Sequence, residues 1–277
     1  MLVTVDWLYE HMNDLSVRVI DCRFDLANEN EGKDSYEEGH IPSALYFDLN
    51  KDLSSPVTKH GGRHPLPDVE QLSEKLSKAG IDENVTVVAY DSQGGAMASR
   101  LWWLLTYLGH ERVYVLNGGF PAWKERGFSV TDAIPSFNRA VFKPSVQHGL
   151  LVSMDELKAK ITRQEDMTLI DSREEKRYAG VEEPVDPIAG HIPTAKNDFW
   201  KNGLTEEGYF KEKEAQIERF ASLPKGKEII VYCGSGVTAC PNVLALKMAG
   251  FEDVKLYAGS WSDWISYAEN EIEKEAK

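Results

Sequence analysis

The sequence predicts an α/β protein of two tandem domains, each a mainly parallel sheet flanked by helices. Three observations lead there. Four short blocks recur in the same order in the two halves of the chain. Short β-branched runs alternate with helical patterns, an arrangement that gives parallel sheets covered on both faces. The length, 277 residues, is enough for two domains of ordinary size.

The blocks define the repeat. Val19-Ile20-Asp21-Cys22-Arg23 answers to Leu169-Ile170-Asp171-Ser172-Arg173, and Gly39-His40-Ile41-Pro42-Ser43-Ala44 answers to Gly190-His191-Ile192-Pro193-Thr194-Ala195. Val87-Val88-Ala89-Tyr90-Asp91 answers to Ile229-Ile230-Val231-Tyr232-Cys233. Leu116-Asn117-Gly118-Gly119-Phe120, ending at Trp123, answers to Tyr257-Ala258-Gly259-Ser260-Trp261, ending at Trp264. Chance similarity would not preserve the order. Within the first half, Val19 to Asp21, Val85 to Tyr90 and Val113 to Leu116 read as buried strands. Gln71 to Ala79 and Ala96 to Leu108 read as helices, the second with an apolar face from Leu101 through Leu108. Extra chain near Asn50 to Pro67, rich in Gly, Ser, Pro and charge, reads as a surface loop. Pro135, Pro144 and Gly149 lie in an aperiodic stretch, so domains over 1–133 and 151–277 are expected, joined by a linker over 134–150.

Composition bounds the function. A hydrophobic fraction of 42% with 27% charged residues suits a globular protein. No stretch approaches the roughly 18 apolar residues of a membrane span, and Met1 to Trp7 lacks the basic and apolar regions of a secretory signal. Cys22, Cys233 and Cys240 are too few for a disulfide framework and point to a reducing, cytoplasmic setting. A net charge of −14 disfavours nucleic acid and anionic membranes as partners. Metal-ligand spacing, a P-loop and a dinucleotide fingerprint are all missing from the sequence, so no cofactor is expected.

The run Val231-Tyr232-Cys233-Gly234-Ser235-Gly236-Val237-Thr238-Ala239 reads as a buried strand ending in a cysteine, a glycine-bearing turn and the start of a helix. Such a turn aims backbone N–H groups and the positive end of a helix dipole at the sulfur, conditions that favour a thiolate nucleophile. The duplication is an internal control: what both halves share is fold, and what differs is function. The shared Asp-x-Arg and Gly-His-Ile-Pro blocks are therefore structural, with His40 and His191 as orienting or packing residues. Cys233 is answered by Asp91, which cannot carry sulfur, so the first half reads as a non-catalytic copy. The alternative for Cys233 is an inert buried cysteine; its loop and the contrast with Asp91 favour the nucleophile. Cys22 and Cys240 read as core residues, and Trp102, Trp103, Phe199 and Trp200 as packing. Arg177 is the best candidate for a cation that compensates an anionic substrate. Its counterpart in the first half, counted from Asp21 as from Asp171, is Ala27, so cation and cysteine vanish together.

Over nearly its whole length the chain resembles the tandem-rhodanese sulfurtransferases. The resemblance is carried by the paired Asp-x-Arg and Gly-His-Ile-Pro blocks, by Gly118-Gly119-Phe120-Pro121-Ala122-Trp123 and by the Cys233 loop. It implies two tandem rhodanese-like domains, of which only the second is catalytic. It also implies transfer of a sulfane sulfur from a small anionic donor, through a persulfide on Cys233, to cyanide, a thiol or a thioredoxin-like acceptor. Arg177 matches the family's substrate-binding arginine, and Gly234, Gly236, Val237 and Thr238 would hold the donor and the anionic sulfur. The Cys-Gly-Ser-Gly-Val-Thr loop is similar to that of the 3-mercaptopyruvate enzymes; thiosulfate-preferring members more often have basic residues there. In the former group a histidine pairs with the loop serine and an upstream acid. The matching residues are His64 and Ser235, with Arg63 beside His64 able to add positive charge, while Asn50 falls where the acid is expected and leaves Asp48 or Asp52. A second arginine usual in that group is replaced by Asp186. Two rivals remain. A phosphatase with a Cys-x5-Arg loop would need an arginine where Ala239 stands. A non-catalytic persulfide carrier fits the loop but leaves Arg177 and His64 without a donor to bind.

Overall fold

The computed structural model describes residues 1–275. The chain divides into two compact units. The first comprises Met1–Ser55, Pro67–Gln147 and Thr205–Phe210; the second comprises Pro56–Leu66, His148–Leu204 and the chain from Lys211 onward. Both are parallel α/β units, as the repeat predicts.

In the first unit β1 (Leu2–Val3), β2 (Val17–Asp21), β3 (Ala44–Tyr46), β4 (Thr86–Tyr90) and β5 (Val113–Leu116) form one sheet in the order β1-β5-β4-β2-β3. Every pairing is parallel. Central strands β2 and β4 run in register from Val17 opposite Thr86 to Asp21 opposite Tyr90. They are buried on both faces, which is why they read as continuous apolar runs and not as alternating ones. Helices α1 (Val5–His11), α2 (Glu31–Glu38), α3 (Val69–Lys78) and α4 (Ala96–Tyr107) connect the strands, and α5 (Gly119–Glu125) follows the last of them. Asp68 caps α3 by accepting from the Gln71 N–H at 2.9 Å. The aperiodic stretch after Ile134 lies along this unit: the Ala140 N–H donates to the Ser77 carbonyl, and the Gln147 N–H to that of Tyr107.

In the second unit β6 (Met167–Asp171), β7 (Lys196–Asn197), β8 (Glu228–Tyr232) and β9 (Val254–Leu256) form a parallel sheet in the order β7-β6-β8-β9. Its helices are α6 (Met154–Thr162), α7 (Glu175–Tyr178), α8 (Lys213–Arg219), α9 (Cys240–Met248) and α10 (Ser260–Trp264). The chain leaves β6 for β7 on one side and returns as β8 on the other. This reversal opens a crevice at the carboxyl ends of β6 and β8, the place where open α/β sheets bind ligands.

The shared blocks brace each sheet in the same way. Arg23 forks onto Asp21 and reaches the Gly39 carbonyl; Arg173 forks onto Asp171 and reaches the Gly190 carbonyl. His40 and His191 stack on Tyr36 and Tyr178, each with ring centroids 3.9 Å apart, and bond the carbonyl of the same tyrosine. These are packing contacts, and they explain why both halves keep the motif.

Candidate active site

Cys233 follows directly on β8, whose last four residues are buried, and is itself 1% exposed. Its backbone is fixed on both sides: the N–H donates to Ser260 Oγ at 3.1 Å, and the carbonyl accepts from the Trp261 N–H at 3.0 Å. The Gly236 N–H donates to Cys233 Sγ at 3.2 Å. Gly236 is required here for two reasons. Its φ is +77°, a left-handed conformation costly for other residues, and an added Cβ would lie 2.1 Å from the Ala258 carbonyl oxygen. Ser235 and Val237 are buried and Thr238 is half-buried. The turn closes at Cys240, the first residue of α9, with Pro241 in the opening turn where a missing N–H costs nothing. The loop thus runs from Cys233 directly into the N-terminus of α9.

Two guanidinium groups converge on Gly234, the residue after the cysteine. A Cβ on Gly234 would be 2.9 Å from Arg63 Nη2 and 3.6 Å from Arg177 Nη2. Arg177 lies on α7, just past the end of β6. Its side chain is 17% exposed and is held by Glu183 at 2.7 Å and by Asp186 at 3.1 Å. Glu183 also accepts from Arg173 at 3.2 Å and from the N–H groups of Val185 and Asp186 at 3.1 Å, which fixes the turn that carries Asp186. Asp186 is 2% exposed in its side chain and accepts from Arg63 as well. Burial lowers the Arg63 guanidinium below its ordinary value. The Cys233 sulfur and Glu183 oppose this shift, while Arg177 and Arg173 add to it.

Arg63 and His64 arrive on the 56–66 segment, which is pinned within the second unit. The Gly61 N–H donates to Asp263 Oδ1 at 2.7 Å, the Arg63 N–H donates to Ser262 Oγ at 3.1 Å, and His60 Nδ1 bonds Ser266 Oγ at 2.8 Å. His64 Nδ1 lies 2.8 Å from Ser235 Oγ, both residues being buried. Asp48 and Asp52 belong to the first unit. Asp48 accepts from the N–H groups of Asn50 and Lys51, and Asp52 accepts from the Asp48 N–H and pairs with Lys75 at 2.7 Å.

At the matching place in the first unit, Asp91 follows β4 and points into its own loop. Its Oδ1 accepts from the N–H groups of Gln93 and Gly95, and its Oδ2 from those of Met97 and Ala98, at 2.7–2.9 Å. Burial pushes this carboxyl above its ordinary value against the pull of the four donors. The loop of the first unit is therefore an anion cradle filled by its own side chain.

Cys240 Sγ donates to the Gly236 carbonyl at 3.3 Å, and Cys22 is buried with its thiol pushed well up by desolvation. Among the described residues no group of three or more His, Cys, Asp or Glu is placed to hold a metal. Arg63, Glu183 and Asp186 complete the charge cluster; the sequence offered Arg63 only as added positive charge beside His64 and Asp186 only as a replaced arginine, and it gave Glu183 no role. A trace of the two acids was visible: Glu183 and Asp186 sit in a proline-bracketed turn close after Arg177.

The rhodanese-like domain model matches residues 4–126 and 153–267. A Pseudomonas aeruginosa protein named probable 3-mercaptopyruvate sulfurtransferase is 42% identical over 96% of this chain and 95% of its own. The thiosulfate sulfurtransferase of Cricetulus griseus is 32% identical over 96% of this chain and 92% of its own. Among solved structures, the 3-mercaptopyruvate sulfotransferase of Escherichia coli superimposes with a TM-score of 0.83 at 30% identity, covering 94% of this chain and 98% of that one. The 3-mercaptopyruvate sulfurtransferase of Leishmania major gives 0.82 at 29% identity, covering 95% of this chain and 73% of that one.

Proposed function

The chain belongs to the rhodanese-like domain family and is a sulfurtransferase; from that premise we propose that it takes sulfur from 3-mercaptopyruvate or thiosulfate and holds it as a persulfide on Cys233. The carrying observation is Cys233 Sγ at the end of β8, bonded by the Gly236 N–H, with two guanidinium groups beside Gly234.

With thiosulfate, the Cys233 thiolate attacks the outer sulfur, the S–S bond breaks, and sulfite leaves with the electron pair. With 3-mercaptopyruvate, the C–S bond breaks, its electron pair goes to carbon, and the departing enolate takes a proton to become pyruvate. The donor's thiol supplies a matching proton as the outer sulfur becomes the persulfide anion. The 2.8 Å bond between Ser235 and His64 supports a relay of this proton through that pair. Cyanide or a thiol then removes the outer sulfur and regenerates the thiolate.

Asp91 supports this reading from the other unit. A carboxylate oxygen and the outer sulfur of a cysteine persulfide are both two bonds from Cβ, and each side chain carries one negative charge. The loop after β4 satisfies such an anion with four N–H groups. The loop after β8 has Gly236 in the left-handed conformation, as Gly94 and Gly95 are in the first, and the Gly236 N–H donates to the Cys233 sulfur instead.

The test is thiocyanate formation from each donor with cyanide as acceptor. Cys233→Ser should abolish it while the melting transition stays within a few degrees of the parent. Retained turnover in this variant would overturn the proposal, and no turnover of either donor by the parent would favour a carrier that is loaded by another protein.

A further inference from the structure

We infer that Arg63 is the second donor-recognising cation of the Cys233 site, and that Asp186 is the positioning residue that holds it beside Arg177. This deepens the sulfurtransferase reading of Cys233 and rests on it. Position 186 is where the resemblance expects an arginine. The structure has a buried carboxylate there and brings a guanidinium from the 56–66 segment in its place. Arg63 Nη2 comes closer to the site of a Gly234 Cβ than any Arg177 nitrogen, 2.9 Å against 3.6 Å. Its side chain is 32% exposed, whereas those of Arg177 and Asp186 are 17% and 2% exposed. Arg63 therefore stands at the solvent side, where an arriving anion meets it first. The segment is anchored by its backbone through Gly61 and Arg63, so the guanidinium can exchange Asp186 for a donor without moving the chain.

The cluster also sets the charge of the preferred donor. Arg63, Arg173 and Arg177 are balanced by Asp171, Glu183 and Asp186 before the thiolate is counted. A locally neutral site beside a thiolate admits a singly charged carboxylate more readily than the thiosulfate dianion, because each added negative charge meets unscreened like charge. Asp186 thus disfavours the dianion while it positions the cation that recognises either donor.

Binding separates this inference from turnover. In a Cys233→Ser background, which cannot react, calorimetry with 3-mercaptopyruvate and with thiosulfate should show Arg63→Ala raising Kd at least tenfold for both donors, with Arg63→Lys recovering part of the loss. Asp186→Asn should lower the ratio of the thiosulfate Kd to the mercaptopyruvate Kd at least threefold, a change that a merely structural role would not produce. Truncation at Arg63 spares the core, so this variant decides the matter even where Asp186→Asn fails to fold. A Kd unchanged within twofold in Arg63→Ala, or failure of either donor to bind the Cys233→Ser protein, would overturn the inference. Thiocyanate formation measured in parallel on proteins with Cys233 intact reports separately on the function. Turnover with unaltered Arg63→Ala binding removes Arg63 alone, whereas weakened binding without turnover removes the persulfide chemistry and leaves the anion site.

Discussion

Gly236→Ala tests the geometry of the sulfur cradle most directly. The residue adopts φ +77°, which costs an L-residue about 1–2 kcal/mol. The new Cβ would also lie 2.1 Å from the Ala258 carbonyl oxygen and 2.9 Å from its carbon, both inside the 3.0 Å that real Cβ contacts respect. Ala258 cannot easily yield, because it lies between Tyr257 and Ser260, which bond each other at 2.9 Å and sit beside the Cys233 backbone. The loop must move by about 1 Å, and the Gly236 N–H leaves the sulfur. Loss of one preorganised donor to a developing anion costs about 3 kcal/mol, or roughly 10²-fold in rate. The expected result is kcat/KM for thiocyanate formation down about 10²-fold with both donors, together with a stability loss of about 2 kcal/mol in urea titration. Gly250→Ala is the control: it has φ +87° and nothing within 4 Å of an added Cβ. It should lose about 1 kcal/mol of stability and keep its rate. A Gly236→Ala protein that turns over at the parent rate would refute the claim that this N–H acts on the sulfur.

Two further outcomes follow from the second unit. Ser235→Ala should reduce kcat with 3-mercaptopyruvate by about 10²-fold and leave thiosulfate within about threefold, because only the enolate needs a proton; equal losses with both donors would count against the Ser235–His64 relay. Burial alone would raise the Glu228 carboxyl, but Lys160 at 2.8 Å, with Lys255 on the other oxygen, holds it below its ordinary value. Its stabilising contribution is complete above about pH 4.3, the unperturbed value, and is lost as pH falls through the lower folded-state value. Urea titrations between pH 3 and pH 7 should show a shallower acid limb for Glu228→Gln than for the parent, and parallel curves would refute the assignment.

The repeat made the architecture legible, because a duplicated block order constrains two sheets at once. Strands β2, β4 and β8 were readable since both faces are buried, and Cys233 stood out because its counterpart is Asp91. The segments 56–66 and 205–210 were not readable as parts of the unit opposite their place in the sequence. Gly62 shows why. Its fit depends on the Gly259 carbonyl, 2.4 Å from where a Cβ would stand, a contact with no local signature in either stretch. Arg63 and Asp186 are likewise 123 residues apart, so neither neighbourhood announces the pair. Phe210 is buried in the first unit, with its ring edge 2.7 Å from the place of a Gly95 Cβ, although the surrounding sequence belongs to the second.

Asp91 also bears on stoichiometry. Its carboxylate is covalently part of the cradle that surrounds it, so the first unit behaves like a domain whose product never departs. On the persulfide chemistry proposed for Cys233, isotopic sulfur has one address per chain, and saturation labelling should plateau at a single cyanide-releasable atom despite the duplicated architecture. The plateau provides an internal standard for the fraction of competent molecules in any preparation.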